Sequence, residues 1–519
     1  WQGVNFYSLS TGSQFEYANV KYGSTNFYLE SSDLKITNSL VSSADDAAID
    51  SNESSLIVQN SVFDNNYYGI NTTKGSLVFR DNIFTDNDFP AYVDYETVLE
   101  NGGNSMFGNK YNGIGLYGHL WRVDFKKTFY KDIPYILFDS LDVNKNSAVT
   151  IEPGVVIKFD DNVGISNYGV LKVAGTEEDP IVLTSLKDDS YGGDTNGDGD
   201  ASLPFSDIWD ADWDGIYYDQ MSHDLELRNV IIKYSHYIFF GSVDLDIEKL
   251  TYDNNVNFFA DRGNITINNS DLRHNSNCIY TYLGKMTINN SNIKDTRNGV
   301  CSDRSSLNLI NSTVSDGNWM SRGVSIWSGR ETNIVGSVIS GNGNHGIYLD
   351  SASTTISGNF IFGNGRSGIY MATSSPATIV NNDIYENGDF GIYKKTSALG
   401  TVEAKNNWWG DASGPYHGTL NPDGKGNAVS DGVIFDPWLK ASIKKPKGFS
   451  SVAFIPGIEG SRLYRQGLLF ENQLWEPNRN DDVRKLFMNA SGKSIDTGIY
   501  TRDIIKETNT PVSTGSLGM

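Results

Sequence analysis

The sequence predicts an all-β protein wound as a parallel solenoid, and three observations carry the prediction. Apolar residues recur at Ile216, Ile238, Phe259, Ile279, Val300, Val324, Ile347, Ile369 and Ile392, with a mean spacing of 22 residues. Several carry one flank, as in Gly346-Ile347-Tyr348, Gly368-Ile369-Tyr370 and Gly391-Ile392-Tyr393, followed by Asn-Gly corners at Asn342-Gly343, Asn364-Gly365 and Asn387-Gly388. The chain has 52 glycines and few long helical patterns, which favours β structure with many turns. A period near 22 with short alternating segments marks repeats that bury an apolar column only by stacking, at about 4.8 Å per coil. Asparagine suits the corners because it tolerates left-handed dihedrals and hydrogen-bonds along a stack.

The elements follow in order. Residues 1–118 form a first array, with Val4, Phe27, Ile49, Ile70 and Tyr92 as its column. Trp1-Gln2-Gly3-Val4 matches Trp213-Asp214-Gly215-Ile216, and Lys21-Tyr22 matches Lys233-Tyr234 at the same offset of 212. Because the match opens well inside the second copy, the first array is expected to lack its opening coils, and the chain to be a piece of a longer protein. Residues 119–148 break the repeat and are expected as a connector. Residues 149–440 form the second array. Its strand-rich opening, Val149 to Phe159 and Leu171 to Thr176, fits the first coils and the cover that an open β edge needs. Residues 441–519 begin with a short apolar strand and Gly/Pro turn, Ser451 to Leu463, in the manner of an α/β domain, and are too few to complete one.

Composition narrows the function. With 41 Lys+Arg against 63 Asp+Glu, the net charge of −22 argues against nucleic acid or an anionic membrane as the main partner. No run of 18 apolar residues occurs, so no transmembrane helix is expected. No signal peptide is visible in a chain that starts at Trp1. Few cysteines, acidity and abundant Asn, Ser and Thr fit an extracellular or cell-surface protein. Cys278 precedes the inward Ile279 and Cys301 follows the inward Val300; one coil rise and two strand residues put them roughly 8 Å apart, too far for a bridge, so free thiols are expected.

Two clusters carry candidate chemistry. In Asp194-Thr195-Asn196-Gly197-Asp198-Gly199-Asp200, oxygen side chains alternate and a glycine follows, as in the first part of an EF-hand loop. Asp194, Asn196 and Asp198 would supply side-chain oxygens to calcium and Asp200 a backbone oxygen; the twelfth position is Phe205 rather than glutamate. Tyr348, Tyr370 and Tyr393 each follow an inward isoleucine, so they point outward and stack along one face. Such a strip either binds sugar rings or simply covers the wall. His345, in a turn, is expected to be structural.

The repeats resemble the right-handed parallel β-helix family that includes pectate lyases and NosD-like periplasmic proteins. Asn406-Asn407-Trp408-Trp409-Gly410-Asp411-Ala412-Ser413-Gly414-Pro415 and Val433-Ile434-Phe435-Asp436-Pro437-Trp438-Leu439 resemble the closing motifs of such domains. The resemblance implies a right-handed coil and raises polysaccharide cleavage. A lyase set of calcium-holding carboxylates with a basic residue on one face does not assemble from the sequence, nor does a paired-Asp hydrolase site. The tail Phe454 to Leu463 resembles the opening of lecithin:cholesterol acyltransferase-like lipases, which implies an oxyanion loop at Ile458 and Glu459; no G-x-S-x-G follows. The expected function is a non-catalytic cell-surface or secreted module that binds carbohydrate or partners, or acts as a spacer. The alternatives are an accessory region of a serine lipase or acyltransferase-like hydrolase, and a polysaccharide-cleaving β-helix enzyme.

Overall fold

The computed structural model describes residues 1–118, 124–199, 201–205, 211–350, 352–373, 376–398 and 400–443, and the strands Ser461–Gln466, Glu471–Gln473 and Ile499–Ile504. Residues Trp1–Ile443 form one compact unit and Lys444–Met519 a second. The first is a right-handed parallel β-helix of about 18 coils, with no helix among the described residues. No helix of the described residues is long and apolar enough to cross a membrane.

Each coil contributes short strands, and each strand pairs in parallel register with its counterpart one coil away. Ile216, Ile238, Phe258, Ile279, Val300, Val324, Ile347, Ile369 and Ile392 are successive partners in an eleven-stranded sheet. All nine are at most 1% exposed, so they line the bore. The spacing misplaces this column at one coil. Phe258 holds the inward position and Phe259 lies outward against Phe239 and Tyr280. The first array behaves likewise: Ala91, not Tyr92, pairs with Ile70 and Ile114. Two adjacent aromatic or apolar residues cannot be told apart by period alone; the alternation of the strand decides.

The offset of 212 is visible in the geometry. Trp1 Nε1 donates to the Lys21 carbonyl at 2.8 Å, and Trp213 Nε1 to the Lys233 carbonyl at 2.7 Å. Gly3 and Gly215 sit at φ +97° and +106°, and a Cβ on Gly215 would fall 1.8 Å from the Tyr237 carbonyl oxygen; glycine alone permits that approach. Yet the matching columns lie on different sheets. The column Val4, Phe27, Ile49, Ile70, Ala91, Ile114 runs on through Tyr135, Ile157 and Leu183 to Ile232. The Ile216 column starts afresh at Leu141 and Ile165. A separate five-stranded sheet ends at Ser105–Phe107. Within 119–148, the strands Lys126–Phe129, Tyr135–Leu137 and Leu141–Val143 pair with the coils that follow, and Tyr135–Leu137 also pairs with Ile114–Tyr117. The repeat pattern thus shifts by one side of the coil where the sequence loses its period.

The corners divide their labour between two residues. The first takes a left-handed conformation, as at Asn38, Asn60, Asn269, Asn290, Asn311, Asn381 and Asn406. The second is buried and bonds to the next coil. Asn342, Asn364, Asn387 and Asn427 form one amide ladder, each Nδ2 donating to the next Oδ1 at 2.9–3.0 Å. Asn359, Asn382 and Asn407 form another at 2.9 Å. Ser270, Ser291, Ser312 and Ser337 extend that corner back, each hydroxyl accepting the preceding coil's amide at 3.0–3.1 Å. These ladders satisfy the buried amide donors of the corners they run through.

Cys278 and Cys301 form a disulfide between adjacent coils, with Cα atoms 5.8 Å apart, which corrects the expectation of free thiols. The longer distance assumed two positions along one straight strand. Cys278 instead lies just before the strand Ile279–Tyr282, where the chain is still leaving its corner.

The second unit shows three antiparallel strands, with Ser461–Gln466 between Glu471–Gln473 and Ile499–Ile504. The expected oxyanion positions Ile458 and Glu459 lie outside the described residues.

Candidate functional site

The outer face of the eleven-stranded sheet is aromatic along most of its length. Tyr217, Phe239, Phe259 and Tyr280 are consecutive outward partners, as are Tyr348, Tyr370 and Tyr393. Only Cys301 and Ser325 interrupt the column. The three tyrosines are half-buried and stacked: Tyr348 to Tyr370 at 5.5 Å and 6° between planes, Tyr370 to Tyr393 at 5.4 Å and 24°. Tyr370 therefore has a ring on both sides, and the Arg322 guanidinium lies 3.8 Å over the Tyr348 ring. The faces of these rings are taken, so they present edges and hydroxyls rather than sugar-stacking platforms.

Basic groups gather beside the ladder. A groove of about 520 Å³ is lined by Arg322, His345, Arg366 and Lys395 together with the three tyrosines, Asn344 and Asp389. Arg366 is paired with Asp389 at 3.2 Å, whereas Arg322 and Lys395 have no carboxylate within 4 Å among the described residues. His345 is 6% exposed, and its ring lies 4.4 Å from that of Tyr370. Burial, reinforced by Arg322 and Arg366, pushes its pKa down to about 4, so the ring is neutral at pH 7. The Ser367 backbone N–H donates to Nδ1 at 3.2 Å, which puts the ring proton on Nε2. The groove thus offers two cations without a carboxylate partner among the described residues, one of them over the Tyr348 ring, together with a shared guanidinium and neutral donors.

The sequence named the tyrosines but not this groove. The missed signal is positional: Arg322, His345 and Ser367 each stand two residues before an inward residue, at Val324, Ile347 and Ile369, and so share one column.

The acidic loop lies elsewhere, folded back on an earlier coil: Asn112 N–H donates to the Thr195 carbonyl at 2.8 Å and Asn112 Nδ2 to the Asp194 carbonyl at 3.2 Å. Carboxylate oxygens of Asp189, Asp194 and Asp198 come within 4.8 Å of one another. Asp189 was not foreseen. Asn196 instead donates from Nδ2 to Ser202 Oγ at 3.0 Å, while its Oδ1 is buried without a hydrogen-bond partner. Asp200 lies outside the described residues. The loop closes on itself, with Asp194 accepting from the N–H groups of Asp198 and Gly199 at 3.2 and 2.9 Å. Three carboxylates are donors of the hard, oxygen type that calcium takes. A competing cation is built in: the Lys158 ammonium donates to the Gly193 carbonyl at 2.6 Å. Burial lowers its pKa to about 8 against the pull of Asp189, Asp188 and Asp194.

With the coil and its outer wall defined, the comparisons with known proteins fall into place. The family described as right handed beta helix region matches residues 2–127 and 254–409, more than half of the chain. The chain belongs to the right-handed β-helix family. No curated protein matches this β-helix chain in sequence. Among solved structures it is similar to the periplasmic alginate epimerase AlgG, at 12% identity over 72% of this chain and 76% of that one, with a TM-score of 0.27. It is also similar to the A-module of the Azotobacter vinelandii mannuronan C-5 epimerase AlgE6, at 13% identity over 78% of this chain and 91% of that one, with a TM-score of 0.21.

Proposed function

We propose that this β-helix is a binding module for an acidic glycan, held in the groove beside Tyr348, Tyr370 and Tyr393. The observation that carries the reading is Arg322 and Lys395 facing one groove without carboxylate partners among the described residues, in a chain of net charge −22. A chain so acidic repels polyanions everywhere except where cations are gathered, so the groove sets where such a ligand docks. Tyrosine hydroxyls, Asn344 and the Nε2 proton of neutral His345 supply the neutral contacts that hydroxylated sugars require. Binding is favoured over turnover because Asp389, the groove's carboxylate, is committed to Arg366, and Nδ1 of His345 is occupied by a backbone amide. The disulfide suits an oxidising compartment, so the module acts outside the cytoplasm.

The test is titration of the purified chain with polyuronates and sulfated glycans against a neutral glucan. The acidic polymers should bind and the glucan should not, with affinity falling as salt rises. Arg322→Ala should weaken binding about tenfold at low salt, the equivalent of ~1.4 kcal/mol for a charged contact. Equal binding of neutral and acidic polymers, or an unchanged Arg322→Ala, would remove this reading.

The acidic loop is proposed as a calcium site, favoured by the convergence of Asp189, Asp194 and Asp198. Calorimetry with calcium should show one site per chain that Asp198→Asn abolishes, and chelator should lower the melting temperature of the wild type only. A flat titration assigns the carboxylates to Lys158 instead.

A further inference from the structure

From the rim of this groove we infer that Trp319 and Tyr416 are its sugar-stacking platforms, one at each end, so that the ligand is a chain of acidic sugars lying along the solenoid axis. The inference rests on the acidic-glycan reading and adds the residues that set the length and direction of the ligand.

Between Ile216 and Ile392 the step from Val300 to Val324 is the longest in sequence spacing, and its surplus falls in the loop 316–322. That loop is fixed rather than loose. Ser321 N–H donates to the Asn318 carbonyl at 2.8 Å, Ser321 Oγ donates to the Arg297 carbonyl, and Asn344 N–H donates to the Ser321 carbonyl at 2.9 Å. A Cβ on Gly343 would lie 2.3 Å from the Trp319 Cα, so the next coil gives way to seat the loop. Asn344, which lines the groove, also reaches toward the Met320 carbonyl at 3.5 Å.

On this anchored loop Trp319 is 76% exposed, with no hydrogen bond or ring contact among the described residues. An indole held out from an anchored loop offers a large, flat apolar face with a polar N–H at its edge, which suits a sugar ring. Its faces are open, unlike those of the stacked tyrosines.

At the other end the groove does not stop. A second cavity of about 640 Å³ shares Asp389, Phe390 and Tyr393 with the first and is lined by Tyr416, which is 49% exposed. Tyr416 is set by the closing segment, where Val429 N–H donates to its carbonyl at 3.0 Å and Ile392 bridges to Val429. From the coil of Val324 through Ile347, Ile369 and Ile392 to Val429 there are four steps, about 19 Å along the axis. A polymer segment fits that distance; a single sugar does not. His417 in the second cavity turns Nε2 to Asp431 at 3.3 Å while its Nδ1 accepts from the Thr419 and Leu420 N–H groups, so its ring nitrogens are engaged within the protein.

The experiment is calorimetric titration of the full chain with an oligouronate trimer and hexamer. Trp319→Ala should weaken both about tenfold, the scale of one lost aromatic contact, and Trp319→Phe should restore most of the loss. Tyr416→Ala should weaken the hexamer by a similar factor and leave the trimer unchanged. Neither should alter the salt slope, which Arg322→Ala should reduce. Melting curves matching the wild type separate contact loss from misfolding. If the wild type binds the hexamer and both alanine variants bind equally well, the platforms are misassigned while the groove stands. If no acidic oligomer binds the wild type, the groove reading fails and the platforms fail with it.

Discussion

Ile369→Asp should cost about 4 kcal/mol or more and unfold the second half of the solenoid, because a carboxylate at this position has neither water nor a partner. Ile369 is wholly buried, with Ile347 and Ile392 as its register partners in the adjoining coils. Ile369→Val, which only trims a methylene group, should cost about 1 kcal/mol. The contrast distinguishes a charge effect from a packing effect. Coils interact only with their neighbours, so the damage should begin locally and spread from Ile347–Asp350 and Ile392–Lys394. Amide exchange in those strands, together with circular-dichroism melting, measures it. An Ile369→Asp chain that melts with the wild type would mean the residue does not face the bore.

The coil was legible in the sequence because it depends on a short period. Inward isoleucines, outward tyrosines and corner asparagines each repeat every 20 to 24 residues, and stacking turns that period directly into registers such as Ile347 with Ile369. Where two neighbours were equally apolar the period failed, as at Phe258 and Phe259, since only strand alternation separates them. The shift at 119–148 was illegible for another reason. The two arrays carry the same local pattern, and which side of the coil a pattern occupies depends on residues between them, where Ile114 hands over to Tyr135.

The groove was harder still. Arg322 and His345 share a column two residues before Val324 and Ile347, but Arg366 stands one position off it beside Ser367, so their meeting depends on corner geometry as well as on the period. In the acidic loop the sequence paired Asp194 with Asp198 and missed Asp189, because it assumed a loop that coordinates through consecutive alternate residues. Asn196 turns its amide to Ser202 instead.

Removing the disulfide should have the second large effect, about 3 kcal/mol, the loop-closure contribution expected for a bridge spanning 23 residues. Its position in the wall explains why the loss should be local. The outward column runs as stacked rings from Tyr217 to Tyr280, then passes through Cys301 and Ser325 before rings resume at Tyr348. At that gap the coils lose the ring-on-ring contact that elsewhere joins them, and the covalent link from Cys278 to Cys301 stands in for it. In a Cys278→Ser/Cys301→Ser chain, amide exchange in Ile279–Tyr282 and Val300–Asp303 should therefore accelerate by roughly a hundredfold. Exchange in the strand Phe27–Glu30, many coils away, should stay as it was. Ile369→Val provides the control for a general loss of stability, since it changes packing on the same sheet without touching the link. Rapid alkylation of two thiols in the native, non-reduced protein would show that the bridge does not form, and unchanged exchange in the serine variant would show that stacking of the bore alone holds these coils together.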